Sequence, residues 1–120
     1  MLDTSSRMIF SAEHEAFRDS VRRFLAAEFT PNLTQWEEDG KVPHDFWRKA
    51  GEAGLLCPNL PEEYGGMGLD FTYNALINEE FTYAMMSDSL TLQTDITMPY
   101  ILNYASEEMK AQILPTLLTG

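Results

Sequence analysis

Apolar residues spaced three or four positions apart constrain this sequence most strongly, because that spacing places them on one face of an α-helix. The longest such series comprises Tyr73, Leu76, Ile77, Phe81 and Ala84. Asp70, just upstream, is a favoured N-cap residue and predicts where this helix begins. Almost no stretch alternates apolar and polar residues as a half-buried β-strand would. The sequence therefore predicts an all-α fold organised around this central helix.

A second amphipathic helix is predicted near the start of the chain. Ser11 is a suitable N-cap for it. Its apolar stripe consists of Phe17, Val21, Phe24 and Leu25. Its charged residues fall largely off that stripe and are Arg18, Asp19, Arg22 and Arg23. This pattern is typical of a helix that packs its apolar stripe on the core and turns its charges to solvent.

Two short helices are predicted between the first and the central helix. Thr30 and Pro31 suit the N-cap and first position of one, which continues through Leu33 and Trp36 and ends at Gly40. The other lies in "HDFWRKAGEAG". Its predicted inward residues are Phe46, Trp47 and Ala50, and Gly54 is predicted to end it. Both are expected to pack against the longer helices.

Two further helices complete the predicted bundle. Asp88 is expected to cap "SLTLQTDITMPYILNYA", in which Pro99 either kinks the helix or marks an early turn of a new one. Ser106 is expected to cap the last helix, where Glu107 and Glu108 favour the positive helix N-terminus. About six helices follow, with no repeat or linker between them. Residues 1–120 are therefore predicted to form a single all-α bundle.

Charge and composition exclude several classes of partner. The chain has 19 acidic and 8 basic residues, a net charge of −11, which repels nucleic acids and anionic lipid surfaces. No apolar run approaches the roughly 18 residues that a membrane span needs, and the first residues lack the features of a secretory signal. Cys57 is the single cysteine, so an internal disulfide is excluded. We interpret Cys57 as a packing residue in a reducing compartment.

No group of residues predicts catalysis or metal binding by itself. Adjacent carboxylates occur as Glu62 and Glu63, Glu79 and Glu80, and Glu107 and Glu108. Neighbours on a helix point in different directions, so these pairs are interpreted as solvated. A di-iron bundle requires Glu three residues before His, but Ser11 precedes His14 and Lys41 precedes His44 at that spacing. Both histidines are interpreted as surface groups, and no metal site is predicted.

The segment "LPEEYGGMGLD", residues 60–70, is the least helix-like part of the chain. Its three glycines permit a hinge, an anion cradle or a simple turn. A glycine-rich dinucleotide cradle normally follows a strand, and none is predicted here. A turn that sets the entry of the central helix is therefore favoured. Contact with a substrate or a neighbouring domain remains the alternative.

Five segments carry a resemblance to a known family. They are "EHEAFRDSVRRFLAAEFTP", "WEEDGKVPHDFWRKAGEAGLL", "LPEEYGGMGLD", "EEFTYA" and "DITMPYILNYASEEMKAQILPTLLTG". In this order they resemble the N-terminal helical domain of the acyl-CoA dehydrogenases, in particular the long-chain type. Together they cover nearly the whole chain after residue 10, and their shared order is more specific than any one of them.

The resemblance implies part of a three-domain flavoenzyme that uses FAD to oxidise an acyl-CoA to a trans-2-enoyl-CoA. Such enzymes pass electrons to an electron-transfer acceptor and usually form homo-oligomers. It implies that the middle β-domain, which contacts the flavin, and the C-terminal helical domain, which carries the glutamate base, lie outside these 120 residues. No catalytic or cofactor-binding residue is therefore carried over, and the isolated chain is expected to be inactive and to bind no FAD.

The resemblance also implies a substrate-binding wall in "LQTDITMPYI". The positions that correspond to pocket-facing residues of the family are Gln93, Thr94, Thr97 and Met98. The alternative is that Met98 and its neighbours fill the core. The compact "DITMPYI", as in the long-chain type, points to a deep pocket for medium to long acyl chains.

Two interpretations of different class stay open at this point. The chain is either the N-terminal part of an acyl-CoA dehydrogenase or a stand-alone helical interaction module without catalytic activity. A reading frame that continues beyond codon 120 into a β-domain separates the first from the second. The location implied is the bacterial cytoplasm, with the mitochondrial matrix as the alternative.

Overall fold

The computed structural model describes residues 8–86 and 90–120, and these ranges are helical without a β-strand. The α-helices are α1 (Ala12–Glu28), α2 (Leu33–Asp39), α3 (His44–Glu52), α4 (Phe71–Tyr83), α5 (Met98–Tyr104) and α6 (Glu107–Ile113). The short 3-10 segments are Thr30–Asn32, Glu62–Tyr64 and Leu114–Leu118, and Leu92–Thr97 is π-helical. The predicted all-α bundle is confirmed.

Three of the predicted helix starts are confirmed by their capping bonds. The Ser11 side chain accepts from the backbone N–H of His14, whose own side chain accepts from the N–H of Ser11, which forms a capping box. Asp70 accepts from the N–H of Thr72 at 3.0 Å and caps α4. Ser106 caps α6 in the same way. These caps are local, so the sequence alone indicates them.

The predicted start of the second helix is wrong. Thr30 does not cap α2 but begins the 3-10 segment that follows α1, with Pro31 in its first turn. Asn32, the residue before α2, keeps helical backbone angles and makes no side-chain capping bond, so the chain enters α2 without the extended residue that an N-cap requires. Gly40 ends α2 at a φ of 72°, as predicted. The predicted cap at Asp88 lies outside the described residues.

The main core lies between α1, α3 and α4 and is rich in aromatic side chains. The predicted inward residues that are buried in it are Val21, Leu25, Phe46, Ala50, Leu76, Ile77 and Phe81. The Phe46 ring lies 5.1–6.5 Å, centroid to centroid, from the rings of Phe24, Phe29, Trp36, Trp47 and Phe81. Such tilted and edge-on ring pairs stabilise a core beyond their buried area.

A second, smaller core lies under α5. It is formed by the buried side chains of Cys57, Leu60, Met98 and Leu114. Burial raises the pKa of the Cys57 thiol, which therefore stays protonated, as a packing residue does. Most of this core comes from connecting segments rather than from the long helices.

Arg18 and Glu80 are buried in the described structure, although the sequence interpretation placed both in solvent. Arg18 is 1% exposed, and its Nη1 donates to Glu80 Oε1 at 2.6 Å. Arg22 Nε donates to Glu80 Oε2 at 2.8 Å. Arg18 also pairs with Glu15 and Glu79 at 3.2 and 3.3 Å. This ion cluster joins α1 to α4. Of the other carboxylate pairs, Glu62 and Glu63 and Glu107 and Glu108 are exposed as predicted.

His14 is also more than a surface group. Its Nε2 lies 2.6 Å from Thr72 Oγ1, and its ring stacks on that of Tyr73 with centroids 4.3 Å apart. His14 therefore connects the capping box of α1 to the first turn of α4. His44 is exposed, as predicted.

The molecule is thin in one direction. Its shortest principal axis measures 19 Å, which is close to two helix diameters of about 10 Å each. A slab of this thickness leaves broad helix faces outside its core.

The ion cluster gives the first prediction. Glu80→Gln removes the buried charge that pairs with Arg18 and Arg22 and leaves Arg18 only its longer contacts to Glu15 and Glu79, so we expect the free energy of unfolding to fall by about 3 kcal/mol. Urea unfolding measures it. The matched control is Glu52→Gln, which disrupts the solvent-exposed pair with Arg48 and should change stability little. Equal losses in the two variants would contradict the structural role of the cluster.

Glu80 should also make the free energy of unfolding sensitive to acid. Burial raises the pKa of Glu80, but the hydrogen bonds from Arg22 and Arg18 outweigh it and lower this pKa below its ordinary 4.5. A lowered folded pKa contributes stability above pH 4.5 that is lost as pH falls through the folded value. We therefore expect the difference in unfolding free energy between wild type and Glu80→Gln to shrink below pH 4.5. A difference that stays constant in acid would refute this assignment.

Candidate functional site

The predicted site residues lie in and just after the π-helical segment Leu92–Thr97. The N–H of Met98 donates to the carbonyl of Gln93, a bond that spans five residues instead of four. Pro99 follows and has no N–H, and its ring would collide with the carbonyl four residues earlier in a regular α-helix. The wider turn accommodates Pro99 near the start of α5, so the second of the two alternatives for this proline is the observed one. Widened turns of this kind are frequent at functional sites.

A polar network holds this segment against α4. Both carboxylate oxygens of Asp95 accept a hydrogen bond, Oδ1 from Asn74 Nδ2 at 2.7 Å and Oδ2 from Asn78 Nδ2 at 2.7 Å. Asn74 Nδ2 also donates to Asn59 Oδ1 at 3.2 Å. Asn74 is 1% exposed, so the network reaches into the interior. We call Asp95, Asn74 and Asn78 the amide clamp.

The structure distributes the four predicted substrate-binding residues over different environments. Met98 is fully buried in the smaller core, and Thr94 is 4% exposed. The N–H of Cys57 donates to Thr94 Oγ1 at 3.4 Å. Gln93 is half-buried, and its side-chain amide donates to the carbonyl of Leu117 at 2.8 Å. Thr97 is exposed. Their role as a substrate-binding set stays a prediction, and among the four Thr97 alone offers an exposed side chain.

An exposed apolar stripe runs along the same segment. It consists of Leu92, Ile96, Tyr100 and Tyr104, each more than half exposed. The rings of Tyr100 and Tyr104 lie 5.0 Å apart. We call these residues the outer stripe. The sequence interpretation missed it, although a spacing of four residues was there to indicate it.

Among the cavities along the described residues, one reaches the predicted site and another lies beside α2. A cavity of about 170 Å³ is lined by Trp47, Leu56, Leu90, Gln93 and Gly120. It lies where the half-buried Gln93 approaches the end of the described chain. The other, of about 210 Å³, lies beside α2 and includes Trp36 and Met86, away from the predicted site.

The glycine-rich loop is a turn in which the amides of its three glycines donate to the chain's own carbonyls. The N–H of Gly66 donates to the carbonyl of Pro61 at 3.2 Å, and that of Gly68 donates to Leu60 at 2.8 Å. Gly65, at a φ of 91°, ends the short 3-10 segment and donates to Glu62 at 2.9 Å. Amides bound to the chain's own carbonyls are not directed at an anion. The interpretation of this loop as a turn agrees with the geometry.

Neither a metal-binding cluster nor a membrane-spanning helix occurs in the described part of the chain. Residues 8–86 and 90–120 hold no cluster of three or more His, Cys, Asp or Glu suited to a metal ion. Among the same residues, each helix is too short or too polar to cross a bilayer.

The geometry thus defines an all-α domain with one π-helical edge that carries an exposed apolar stripe. A family model described as the N-terminal domain of acyl-CoA dehydrogenase matches residues 11–120. The chain belongs to the acyl-CoA dehydrogenase family, and the part it matches is that N-terminal domain.

Three individual comparisons agree with this family. The mitochondrial long-chain specific acyl-CoA dehydrogenase of Sus scrofa is 41% identical over 121 residues, which cover 100% of this chain and 28% of that protein. The crystal structure of an acyl-CoA dehydrogenase from Geobacillus kaustophilus has a TM-score of 0.91 at 40% identity, covering 95% of this chain and 30% of that one. An acyl-CoA dehydrogenase complexed with FAD from Bacillus anthracis has a TM-score of 0.74 at 33% identity, covering 92% and 19%. The chain therefore spans less than a third of these relatives.

The loop gives a prediction about crowding. A Cβ added at Gly66 would lie 2.0 Å from the carbonyl oxygen of Leu60, so Gly66→Ala must displace backbone. We expect a loss of about 3 kcal/mol in unfolding free energy, as for an overpacked core. Gly40→Ala is the matched control, because nothing lies within 4 Å of its Cβ and only its positive φ is costly, at about 1 kcal/mol. Thermal or urea unfolding compares them, and a smaller loss at Gly66 would contradict the close approach.

Proposed function

We propose that this chain is the N-terminal domain of an FAD-dependent acyl-CoA dehydrogenase that introduces a double bond between the α and β carbons of a medium- to long-chain acyl-CoA. The observation that carries the proposal is the 41% identity to a long-chain specific enzyme over the whole of this chain. The TM-score of 0.91 to a bacterial acyl-CoA dehydrogenase supports the family assignment at the level of the fold.

Within that enzyme, the π-helical edge is proposed to form one wall of the acyl pocket. An acyl chain requires an apolar surface, and the outer stripe supplies one beside exposed Thr97. Buried Met98 and Thr94 support the wall from behind, while Gln93 lies at its edge. The opposite wall would come from protein outside this chain.

Two features of the described residues support a binding site for FAD that lies mainly in other domains. The amides of the glycine loop are occupied by the chain's own carbonyls, and the net charge of −11 opposes a pyrophosphate. When bound, FAD supplies the hydride acceptor of the reaction. FAD would then be bound mainly by other domains, while residues 8–86 and 90–120 would form part of the acyl pocket.

The partners and location proposed follow from the same family membership. They are an acyl-CoA substrate, an electron-transfer acceptor and further copies of the enzyme in a homo-oligomer. Relatives include a mitochondrial enzyme and a probable acyl-CoA dehydrogenase of Bacillus subtilis, which is 35% identical over 92% of this chain. We propose the bacterial cytoplasm, with the mitochondrial matrix as the alternative.

The full-length gene product tests the function. We expect a purified yellow protein that converts acyl-CoA to enoyl-CoA with an artificial electron acceptor. A stop at codon 121, with no flavin and no activity in the purified product, would instead favour the helical interaction module.

The pocket wall gives a prediction about chain length. In the full-length enzyme, Thr97→Trp should fill the pocket and exclude about four methylene groups. Each buried methylene contributes about 0.8 kcal/mol, so the ratio of kcat/KM for long over short acyl-CoA should fall by about a hundredfold. Thr34→Trp, at an exposed position of α2, is the control and should leave the ratio unchanged. An equal loss for both substrates at Thr97, or a loss of flavin and stability alone, would show that Thr97 does not border the acyl chain.

A further inference from the structure

In the described part of the chain, the carboxylate of the amide clamp is held by two side-chain amide groups. Asp95 lies in the middle of the π-helical segment and accepts one hydrogen bond at each oxygen, both of 2.7 Å. The donors Asn74 and Asn78 are one turn apart on α4, so they face the same side of that helix. Two directional bonds to one carboxylate fix both its position along α4 and its orientation.

The polarity of the clamp is also fixed. Asn74 Nδ2 donates to Asp95 Oδ1 and to Asn59 Oδ1 at once. Turning this amide over would place its oxygen against two acceptor oxygens, so the observed orientation is the one the network allows. Asn74 Oδ1 is buried and has no hydrogen-bond partner in the structure. Leaving a buried acceptor unpaired is costly. The two hydrogen bonds that Nδ2 donates therefore determine the orientation of this amide.

The clamp acts on the segment that carries the proposed wall. Asp95 directly precedes Ile96 of the outer stripe and Thr97, both of which are exposed. On its other side, Thr94 is buried beside Cys57. A rotation of the segment about its axis would therefore exchange buried and exposed side chains along the wall. The clamp resists this rotation because it holds Asp95, which lies at the centre of the π-helical segment. The wider turns of that segment make it less regular than an α-helix.

We propose that Asp95, held by Asn74 and Asn78, is a positioning residue that sets the depth of the acyl pocket by fixing the rotation of the π-helical segment. The inference rests on the proposed function, because it assigns the acyl-chain preference of that enzyme to the clamp. Asp95 acts through Ile96 and Thr97 and does not itself touch the substrate.

The experiment is a charge exchange within the clamp of the full-length enzyme. Asn78→Asp places two carboxylates at the 2.7 Å contact and breaks it. The double variant Asn78→Asp with Asp95→Asn restores a carboxylate–amide pair in reversed order. In that pair, the new amide oxygen still accepts from Asn74. Asn78→Ala removes the donor without adding charge, and it tests the clamp in case Asn78→Asp does not fold.

Two measurements follow each variant. Amide hydrogen exchange of residues 92–98, without substrate, reports the order of the segment. The ratio of kcat/KM for a long and a short acyl-CoA reports pocket depth, with kcat and KM determined separately. We expect faster exchange and a change in the ratio on the order of tenfold in Asn78→Asp, a smaller change of both in Asn78→Ala, and near wild-type values in the double variant.

The outcomes distinguish failure of the proposed function from failure of the positioning role of Asp95. Wild-type enzyme without acyl-CoA dehydrogenase activity refutes the proposed function, and the chain-length inference with it, whatever the exchange shows. An active wild type whose single variants lose activity equally for both substrates overturns the positioning role alone. Failure of the exchanged pair to restore the ratio, when the double variant is folded and binds flavin, overturns it as well.

Discussion

The ion cluster of Arg18, Arg22 and Glu80 joins α1 to α4, and the rest of the described fold depends on where α4 lies. A buried carboxylate between two guanidinium groups is stable only in a narrow geometry, because each unpaired charge would carry its full desolvation cost. Replacing such a cluster by apolar residues is often tolerated in other proteins. We therefore infer that the cluster acts here mainly by fixing the register of α4 against α1. His14, bridging the first turns of both helices, adds a second point of attachment.

With α4 fixed on one side, its other side positions the candidate site. Glu80 faces α1, whereas Asn74 and Asn78 face Asp95 in the π-helical segment. A slab about two helices thick lets one helix serve both contacts. These contacts link the segment that carries Thr97, through α4, to the ion cluster on α1.

The parts of this fold that sequence predicts are those governed by neighbouring residues. Ser11 and Asp70 cap helices through bonds that reach only two or three residues, and the stripe that includes Val21 follows from helical spacing. The environment of Arg18 was not predictable in this way, because Glu80 lies 62 positions further along the chain and a charged residue off the apolar stripe ordinarily faces water. The π-helical geometry was hidden for a related reason. Pro99 indicates that the helix is irregular near this position. The hydrogen bonds that hold Asp95, however, come from residues 17 and 21 positions away.

The glycine loop connects local backbone geometry to the smaller core. Gly66 lets the chain fold tightly onto Leu60, and buried Leu60 then packs with Cys57 and Met98 in the smaller core. Met98 is the residue that closes the last π-helical turn, so the loop supports the candidate wall from beneath. An acidic, glycine-rich turn is therefore linked to the candidate wall by packing. The amides of Gly65, Gly66 and Gly68 donate to the chain's own carbonyls, and these bonds hold the turn in the shape that this packing requires.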